Sequence, residues 1–181
     1  GFNVKLNVVL MNGFNDDEII DFIKLTKTHP LTVRFIEFMP FDGNQWNKSK
    51  IVSYEQVMKT VMSCYDVDKV IRVKDAPNDT SKNYKIKNYQ GSFAIISSVT
   101  NPFCDSCNRI RLTANGKLKN CLFSNNETDL LTPMRAGKLI EPMIKKAIQS
   151  KFKVRGGMDT MAKLEQPDLH QNNRSMITIG G

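Results

Sequence analysis

The sequence has little of several features that mark large classes of protein. Aromatic residues make up 8% of the 181 positions, and cysteine occurs only four times. Four cysteines at this length are too few for a disulfide-rich scaffold, so we expect reduced thiols, metal ligands or both. No apolar run approaches the roughly 20 residues of a membrane span, and no signal-peptide pattern opens the chain. We therefore expect no membrane partner.

Acidic residues are also in the minority. The chain has 26 Lys and Arg against 18 Asp and Glu, a formal net charge of +8. This balance excludes an acidic tail protein and predicts an anionic partner. The lysine-rich stretches 69–87 and 145–155 lack interleaved exposed aromatics, which single-strand binders use for base stacking. We interpret them as solvated basic faces and expect no nucleic-acid partner.

The first 42 residues predict a strand, a helix and a second strand. Residues 4–11 form a nearly continuous apolar run, Asn15 is a suitable N-cap, and a second apolar run spans 32–39. This order predicts a right-handed parallel βαβ unit. Because the chain enters the first strand almost at once and lacks an initiating methionine, we expect it to be part of a longer protein.

After residue 42 the pattern changes to short strands and turns. Residues 84–87 and 92–99 predict an antiparallel pair, and Asn115-Gly116 predicts a hairpin between 109–113 and 117–123. Ser53 and Gln56 have the spacing of a capping box that begins a helix, and residues 139–152 have helical periodicity. The expected fold class is α/β, with a parallel unit in the first 42 residues and an antiparallel sheet after them.

The chemistry is concentrated in three cysteines. Cys104 and Cys107 form a C-x-x-C, and Cys121 follows on the second strand of the predicted hairpin. A two-residue loop would place Cys121 opposite Ile110. A type I turn with a bulge at Gly116 would place it opposite Arg109 and pair Leu112 with Leu118. We prefer the second register for its apolar pair. Strand alternation would then place four side chains on one face: Cys107, Arg109, Arg111 and Cys121.

Three sulfurs suit either zinc or an iron–sulfur cluster. A closed zinc site needs a fourth ligand, but Cys64, His29 and His170 do not lie at motif-like spacings. Cys64 is better explained as a small buried apolar residue and the two histidines as surface residues. If only three cysteines bind, one metal position stays open to a substrate. A redox dithiol is disfavoured because no thioredoxin-like context follows.

Two cations interrupt the apolar runs of the βαβ unit. A charge at Lys5 or Arg34 is costly unless it is paired or faces a ligand. A salt bridge between Arg34 and Glu37 is one explanation. The other is that both cations converge with Arg109 and Arg111 on a polyphosphate.

The most distinctive segment is 103–113, which reads Phe-Cys-Asp-Ser-Cys-Asn-Arg-Ile-Arg-Leu-Thr. It is continued by Gly-Lys-Leu at 116–118 and Cys-Leu-Phe at 121–123. This block closely resembles the C-terminal region of the radical S-adenosylmethionine GTP 3',8-cyclases of molybdenum cofactor biosynthesis. The segment 34–40, the strand with Lys5 and the terminal Gly180-Gly181 match the same family in the same order. The sequence of residues 38–47 is closer to that of the eukaryotic branch of the family than to that of the bacterial one.

The resemblance implies the first step of molybdenum cofactor biosynthesis, in which GTP becomes a cyclic pterin precursor. It implies that residues 1–42 are the final strands of an incomplete α/β (TIM-like) barrel and that 43–181 are a C-terminal α+β domain with an antiparallel sheet. Cys104, Cys107 and Cys121 would hold a second 4Fe–4S cluster whose open iron binds GTP. Met39 would contact S-adenosylmethionine, which the missing N-terminal barrel portion mainly binds. Gly180 and Gly181 would enter the active site as catalytic tail residues. The substrate-binding residues implied for GTP are Lys5, Arg34, Arg109, Ile110 and Arg111.

The sequence departs from this family in two ways. The N-terminal C-x-x-x-C-x-x-C motif that generates the radical is absent, so the fragment alone should be inactive. Arg155 also stands where many members have histidine. The resemblance further implies a homodimer of the full-length protein, in the mitochondrial matrix if eukaryotic and the cytoplasm if bacterial. Two alternatives remain: a zinc-stabilised binding module with a basic surface, and a ubiquitin-like carrier with a Gly-Gly end.

Overall fold

The computed structural model describes residues 2–175. The chain divides into two compact units. The first comprises the residues up to Met39 together with Lys48–Phe103, and the second comprises Pro40–Asn47 together with the residues from Cys104 onwards. Within 2–175, no helix has the length and apolar character to cross a membrane. The division at residue 42 that the family resemblance suggests stays a prediction.

The first unit is built on a five-stranded mixed sheet. Its strands are β1 (Lys5–Leu10), β2 (Thr32–Glu37), β3 (Val70–Arg72), β4 (Lys82–Ile86) and β5 (Ser92–Ile96). The spatial order is β1-β2-β5-β4-β3, with β1, β2 and β5 parallel and β4 and β3 antiparallel to their neighbours. The predicted parallel and antiparallel pairs are both confirmed. The pairing of β2 with β5 joins them into one sheet, which the sequence did not reveal.

The local sequence predicts the start of the second helix of this unit correctly but not the N-cap of the first. Helix α2 (Tyr54–Cys64) begins with the predicted capping box: Ser53 N–H donates to Gln56 Oε1 over 2.7 Å and Gln56 N–H to Ser53 Oγ over 3.3 Å. Helix α1 (Ile19–Leu25) follows a 3-10 turn, and its predicted N-cap is wrong. The Asn15 side chain instead accepts from Met11 N–H over 2.9 Å, back toward β1.

Strand alternation sorts the first sheet into two faces. Ile19 and Ile23 of α1 and Val57 and Val61 of α2 belong to one buried cluster with one face of the sheet. The strand residues in that cluster are Val8, Leu10, Val33, Phe35, Tyr84, Ile86, Phe93 and Ile95. The alternate positions, which include Lys5 and Arg34, lie on the opposite face. The cations that interrupt the apolar runs therefore point away from the helices.

The second unit contains a three-stranded antiparallel sheet and short helices. The strands are β6 (Arg111–Leu112), β7 (Lys117–Lys119) and β8 (Thr128–Asp129), in the order β6-β7-β8. The helices are α3 (Leu131–Arg135), α4 (Glu141–Gln149) and α5 (Met161–Leu164). Leu118 of β7 packs with Leu130 and with Ala147 of α4. The two units confirm a mixed α/β class with an antiparallel sheet in the C-terminal half.

Candidate iron–sulfur site

The C-x-x-C segment forms one tight turn. Residues Cys104–Ser106 make a 3-10 turn, and Cys107 N–H donates to the Cys104 carbonyl over 3.1 Å. Both thiols are half-buried and neither is in a disulfide. The turn therefore presents two thiols from adjacent backbone positions.

The hairpin that brings Cys121 back follows the preferred register. Leu112 pairs with Leu118, and Gly116 takes a φ of +71° while its N–H donates to the Thr113 carbonyl over 2.9 Å. A Cβ at Gly116 would lie 2.5 Å from Leu131 Cβ, so glycine is required there both by conformation and by space. The predicted bulged hairpin is confirmed.

The strand face predicted through this hairpin is wrong, however. The β6–β7 pairing ends at Arg111 and Lys119, so Cys107, Arg109 and Cys121 all lie outside the strands. Strand alternation cannot place these three side chains. Cys121 instead begins a separate turn in which its carbonyl accepts from Ser124 N–H over 3.2 Å.

The three thiols nevertheless act on one another. Burial raises the pKa of Cys121, and the nearby thiols of Cys104 and Cys107 raise it further. The Phe123 backbone N–H and the Lys151 ammonium act in the opposite direction on the same pKa. Removing the Cys121 proton therefore becomes more favourable when a cation compensates the sulfur charge, as a metal centre would.

The stretch 145–155, predicted to be a solvated basic face, contacts two of these thiols. Lys151 Nζ lies 3.4 Å from Cys107 Sγ, and Arg155 N–H donates to Cys104 Sγ over 3.5 Å. Nitrogen–hydrogen donors on cysteine sulfur are a common means by which proteins tune iron–sulfur centres. No local sequence pattern points to Lys151, and Arg155 is distinctive in the sequence only because many members of the family have histidine there.

The backbone around Gly156 packs against the third cysteine's turn. Gly156 has a φ of +63°, and a Cβ there would lie 2.8 Å from Ser124 N and 2.9 Å from Ser124 Cα. Arg155 also has a positive φ, 40°. The segment 151–157 therefore contacts Cys107 and Cys104 directly and reaches the turn that begins at Cys121.

Three cysteine thiols are a donor set that an iron–sulfur cluster can use. Within residues 2–175, no three or more His, Cys, Asp or Glu side chains are arranged to hold one metal ion. In a 4Fe–4S cluster each thiolate binds a different iron, so the sulfurs surround the cluster and do not converge on one point. Three half-buried, mutually interacting thiols with N–H donors are consistent with that arrangement.

The three candidates for a fourth zinc ligand differ in exposure. Cys64 is exposed at the end of α2, so its interpretation as a buried apolar residue is wrong. His29 is exposed, as predicted, and its Nδ1 lies 3.1 Å from the Leu25 carbonyl. His170 was expected at the surface but is 8% exposed.

Lys5 and Arg34 lie on the same face of the first sheet. Lys5 pairs with Thr32, and Asn7, two positions further along β1, pairs with Arg34. The proposed Arg34–Glu37 salt bridge is wrong, because the two side chains occupy opposite faces of β2. Glu37 accepts instead from the backbone N–H groups of Val99 over 2.7 Å and Thr100 over 2.9 Å.

The guanidinium of Arg34 has one buried donor that is unsatisfied in the described part of the chain. Its Nε atom is buried and makes no hydrogen bond there. A buried donor without a partner is costly, and an anionic ligand would relieve that cost.

Met39, the residue predicted to contact S-adenosylmethionine, ends the N-terminal stretch of the first unit, a few residues beyond β2.

The remaining predicted substrate residues lie in the second unit. Arg109 precedes β6, its carbonyl accepts from Lys151 Nζ over 3.0 Å, and Ile110 beside it is 45% exposed. Arg111 begins β6 opposite the almost fully buried Lys119. Gly180 and Gly181, the predicted tail residues, lie outside the described residues.

Comparisons with known proteins agree on one family. Residues 31–156 match the family model described as Molybdenum Cofactor Synthesis C. The chain is 45% identical to the mitochondrial GTP 3',8-cyclase of Arabidopsis thaliana, covering 100% of this chain and 45% of that protein. It is 40% identical to molybdenum cofactor biosynthesis protein 1 of Homo sapiens, covering 99% of this chain and 27% of that protein.

A bacterial relative extends the comparison. The chain is 36% identical to the GTP 3',8-cyclase of Alkaliphilus oremlandii, over 98% of this chain and 52% of that protein. The chain therefore spans about half, or less, of the length of these curated relatives.

Proposed function

Because the chain belongs to the Molybdenum Cofactor Synthesis C family, we propose that it is the GTP- and cluster-binding part of a GTP 3',8-cyclase. The observation that carries this proposal is the group formed by Cys104, Cys107 and Cys121, with Lys151 and Arg155 donating to two of the sulfurs. The complete enzyme would convert GTP to the cyclic pterin precursor, as a lyase of molybdenum cofactor biosynthesis.

The three cysteines would hold a 4Fe–4S cluster, which when bound supplies an open iron for the purine of GTP. The chain's own residues would bind and orient the rest of the substrate. The partnerless Arg34 Nε supports a role in anion binding, because a guanidinium recognises phosphate oxygens through paired N–H donors. The proposed substrate-binding residues are Lys5, Arg34, Arg109, Ile110 and Arg111.

The first sheet supports a barrel origin for the N-terminal strands. β1 and β2 are parallel, their crossover helix covers one face, and Lys5 and Arg34 lie on the other. In a closed barrel the helices lie outside and the second face points inward. We propose that residues 1–42 supply the final strands of an incomplete α/β barrel and that 43–181 form the C-terminal domain.

Several features belong to the complete protein. We propose that S-adenosylmethionine is bound mainly by an N-terminal barrel portion, with Met39 contributing from this chain, and that the full-length enzyme is a homodimer. Gly180 and Gly181 are proposed as active-site tail residues. A mitochondrial matrix location is proposed because the Arabidopsis relative is named as mitochondrial.

Anaerobic reconstitution with iron, sulfide and zinc together tests the metal. We expect a brown chain with about four irons. A colourless chain that takes up only zinc would contradict the proposal and favour the zinc-stabilised module. With GTP, S-adenosylmethionine and a reductant, the chain alone should form no cyclised product, because its sequence lacks the C-x-x-x-C-x-x-C motif.

Binding of GTP to the reconstituted chain tests the substrate. Calorimetric titration should show weaker binding for Arg34→Gln by about tenfold, the equivalent of roughly 1.4 kcal/mol. The matched control is Arg135→Gln, which removes the same charge from an exposed position in α3. Equal losses in the two variants would refute a specific role for Arg34.

A further inference from the structure

The ammonium of Lys151 contacts two backbone carbonyls of one short stretch and one cysteine sulfur. Its Nζ lies 3.3 Å from the Cys107 carbonyl, 3.4 Å from Cys107 Sγ and 3.0 Å from the Arg109 carbonyl. An ammonium has three N–H donors, so these three acceptors account for its hydrogen-bonding capacity. Lys151 therefore contacts both a predicted cluster ligand and the backbone of a predicted substrate arginine.

The Lys151 ammonium differs from that of Lys145 in its acidic neighbours. Within residues 2–175, no carboxylate lies within 4.0 Å of Lys151 Nζ, whereas the neighbouring Lys145 pairs with Glu141 over 2.6 Å. Lys151 is half-buried, so water screens its charge less than that of an exposed lysine. The nearest group able to carry a compensating negative charge is the Cys107 sulfur.

Hydrogen bonds connect the backbone of Lys151 to helix α4, and helix α4 to the residue before Cys121. Lys151 N–H donates to the Ile148 carbonyl over 3.1 Å, which ties the residue to the end of α4. Asn120, the residue before Cys121, donates through Nδ2 to the Ala147 carbonyl of the same helix over 2.8 Å. Lys151 therefore follows a helix whose last turn is hydrogen-bonded to Asn120, the residue before Cys121.

We propose that Lys151 is a positioning residue of the iron–sulfur site, supplying the positive charge that balances the Cys107 thiolate and fixing Cys107 relative to Arg109. This inference rests on the proposed function, because it concerns a cluster held by Cys104, Cys107 and Cys121. A cation and N–H donor at a ligand sulfur favour the more negative, reduced form of a cluster. Removing them should make the cluster harder to reduce.

The experiment compares the reconstituted 181-residue chain with Lys151→Gln, Lys151→Arg and Lys153→Gln. Lys153→Gln is the matched control, since it removes the same charge two positions away from an exposed side chain. The readout is the midpoint potential from a redox titration followed by electron paramagnetic resonance. We expect Lys151→Gln to shift the potential to more negative values, Lys153→Gln to match the unsubstituted chain and Lys151→Arg to restore most of the shift.

The outcomes separate this inference from the proposed function. If Lys151→Gln and Lys153→Gln have the same potential as the unsubstituted chain, the role of Lys151 is refuted while the cluster stands. If Lys151→Gln folds by circular dichroism but loses iron, retention of iron by Lys151→Arg supports the proposal, and its loss there overturns it. An unsubstituted chain that takes up no iron would refute the proposed function itself.

Discussion

The ammonium of Lys119 donates to Oδ1 of Asn173 over 2.7 Å, and both side chains are almost completely buried. Lys119 also donates to the Ser124 carbonyl, and Asn173 Nδ2 donates to the Leu122 carbonyl over 3.1 Å. Burial lowers the pKa of Lys119, because the charged form loses hydration. This pair attaches the chain near residue 173 to the residues on both sides of Cys121.

Replacing Asn173 should therefore destabilise the second unit. Asn173→Ala removes one of two acceptors from a buried ammonium, and losing a hydrogen bond to a charged buried group costs about 2–4 kcal/mol. Urea unfolding followed by circular dichroism measures the loss. Asn172→Ala is the control, because Asn172 is exposed and adjacent. Similar stabilities for the two variants would show that the buried pair contributes nothing.

Two glycines with similar backbone angles should respond differently to alanine. Gly156 and Gly137 have φ values of +63° and +71°, but only at Gly156 would a Cβ meet other atoms within 4 Å. Gly137→Ala should cost about 1 kcal/mol from backbone strain alone. Gly156→Ala should cost more, because the atoms in its way belong to the Ser124 backbone.

Iron content after reconstitution gives a second comparison of the Gly156→Ala and Gly137→Ala variants. Gly156→Ala should reduce iron retention, since its segment contacts Cys104 and packs beside the Cys121 turn. Gly137→Ala should retain iron. Equal unfolding free energies and equal iron contents would mean that the close approach at Gly156 is unimportant.

The four cysteines should separate into three ligands and one bystander. Substituting serine at Cys104, Cys107 or Cys121 should remove most of the bound iron, since each thiolate would hold a different iron of the cluster. Cys64→Ser is the matched control, because Cys64 is exposed on α2 of the first unit. Iron and sulfide analysis after anaerobic gel filtration measures the outcome. Full iron retention in any of the first three variants would remove that cysteine from the ligand set.

The first unit should lose stability in acid through Asp75. The Arg72 guanidinium lowers the pKa of Asp75 from 3.8 to about 2, assisted by Asn83 N–H and Nδ2. Because the folded-state pKa lies below the unfolded value, the contribution is complete above about pH 4 and is lost as the pH falls through about 2. Partial exposure limits that contribution to about 1–2 kcal/mol.

A comparison of two asparagine variants isolates this effect. Asp75→Asn should be less stable than the unsubstituted chain at pH 7 and nearly equal to it at pH 2, as measured by urea unfolding. Asp17→Asn, at an exposed position outside this network, should change little at either pH. A destabilisation by Asp75→Asn that persists at pH 2 would assign the effect to hydrogen bonding and not to charge.

The sequence by itself determined the features that depend on neighbouring residues. Asn115-Gly116 and the Leu112–Leu118 pair specified the hairpin register, and Ser53 with Gln56 specified the start of α2. The βαβ unit followed from apolar runs and a crossover of ordinary length. The residues of the block 103–123, together with the segment 34–40, were specific enough to identify the family that residues 31–156 match.

Only the tertiary structure decided which distant groups meet at the site. Lys151 lies 44 positions from Cys107, and Asn173 lies 54 positions from Lys119. Periodicity and turn chemistry act over a few residues, whereas these contacts depend on where α4 and the later turns pack against the hairpin. The sequence predicts Lys151 to be one of the solvated lysines, whereas the fold places its ammonium 3.4 Å from Cys107 Sγ, with no carboxylate within 4.0 Å among residues 2–175.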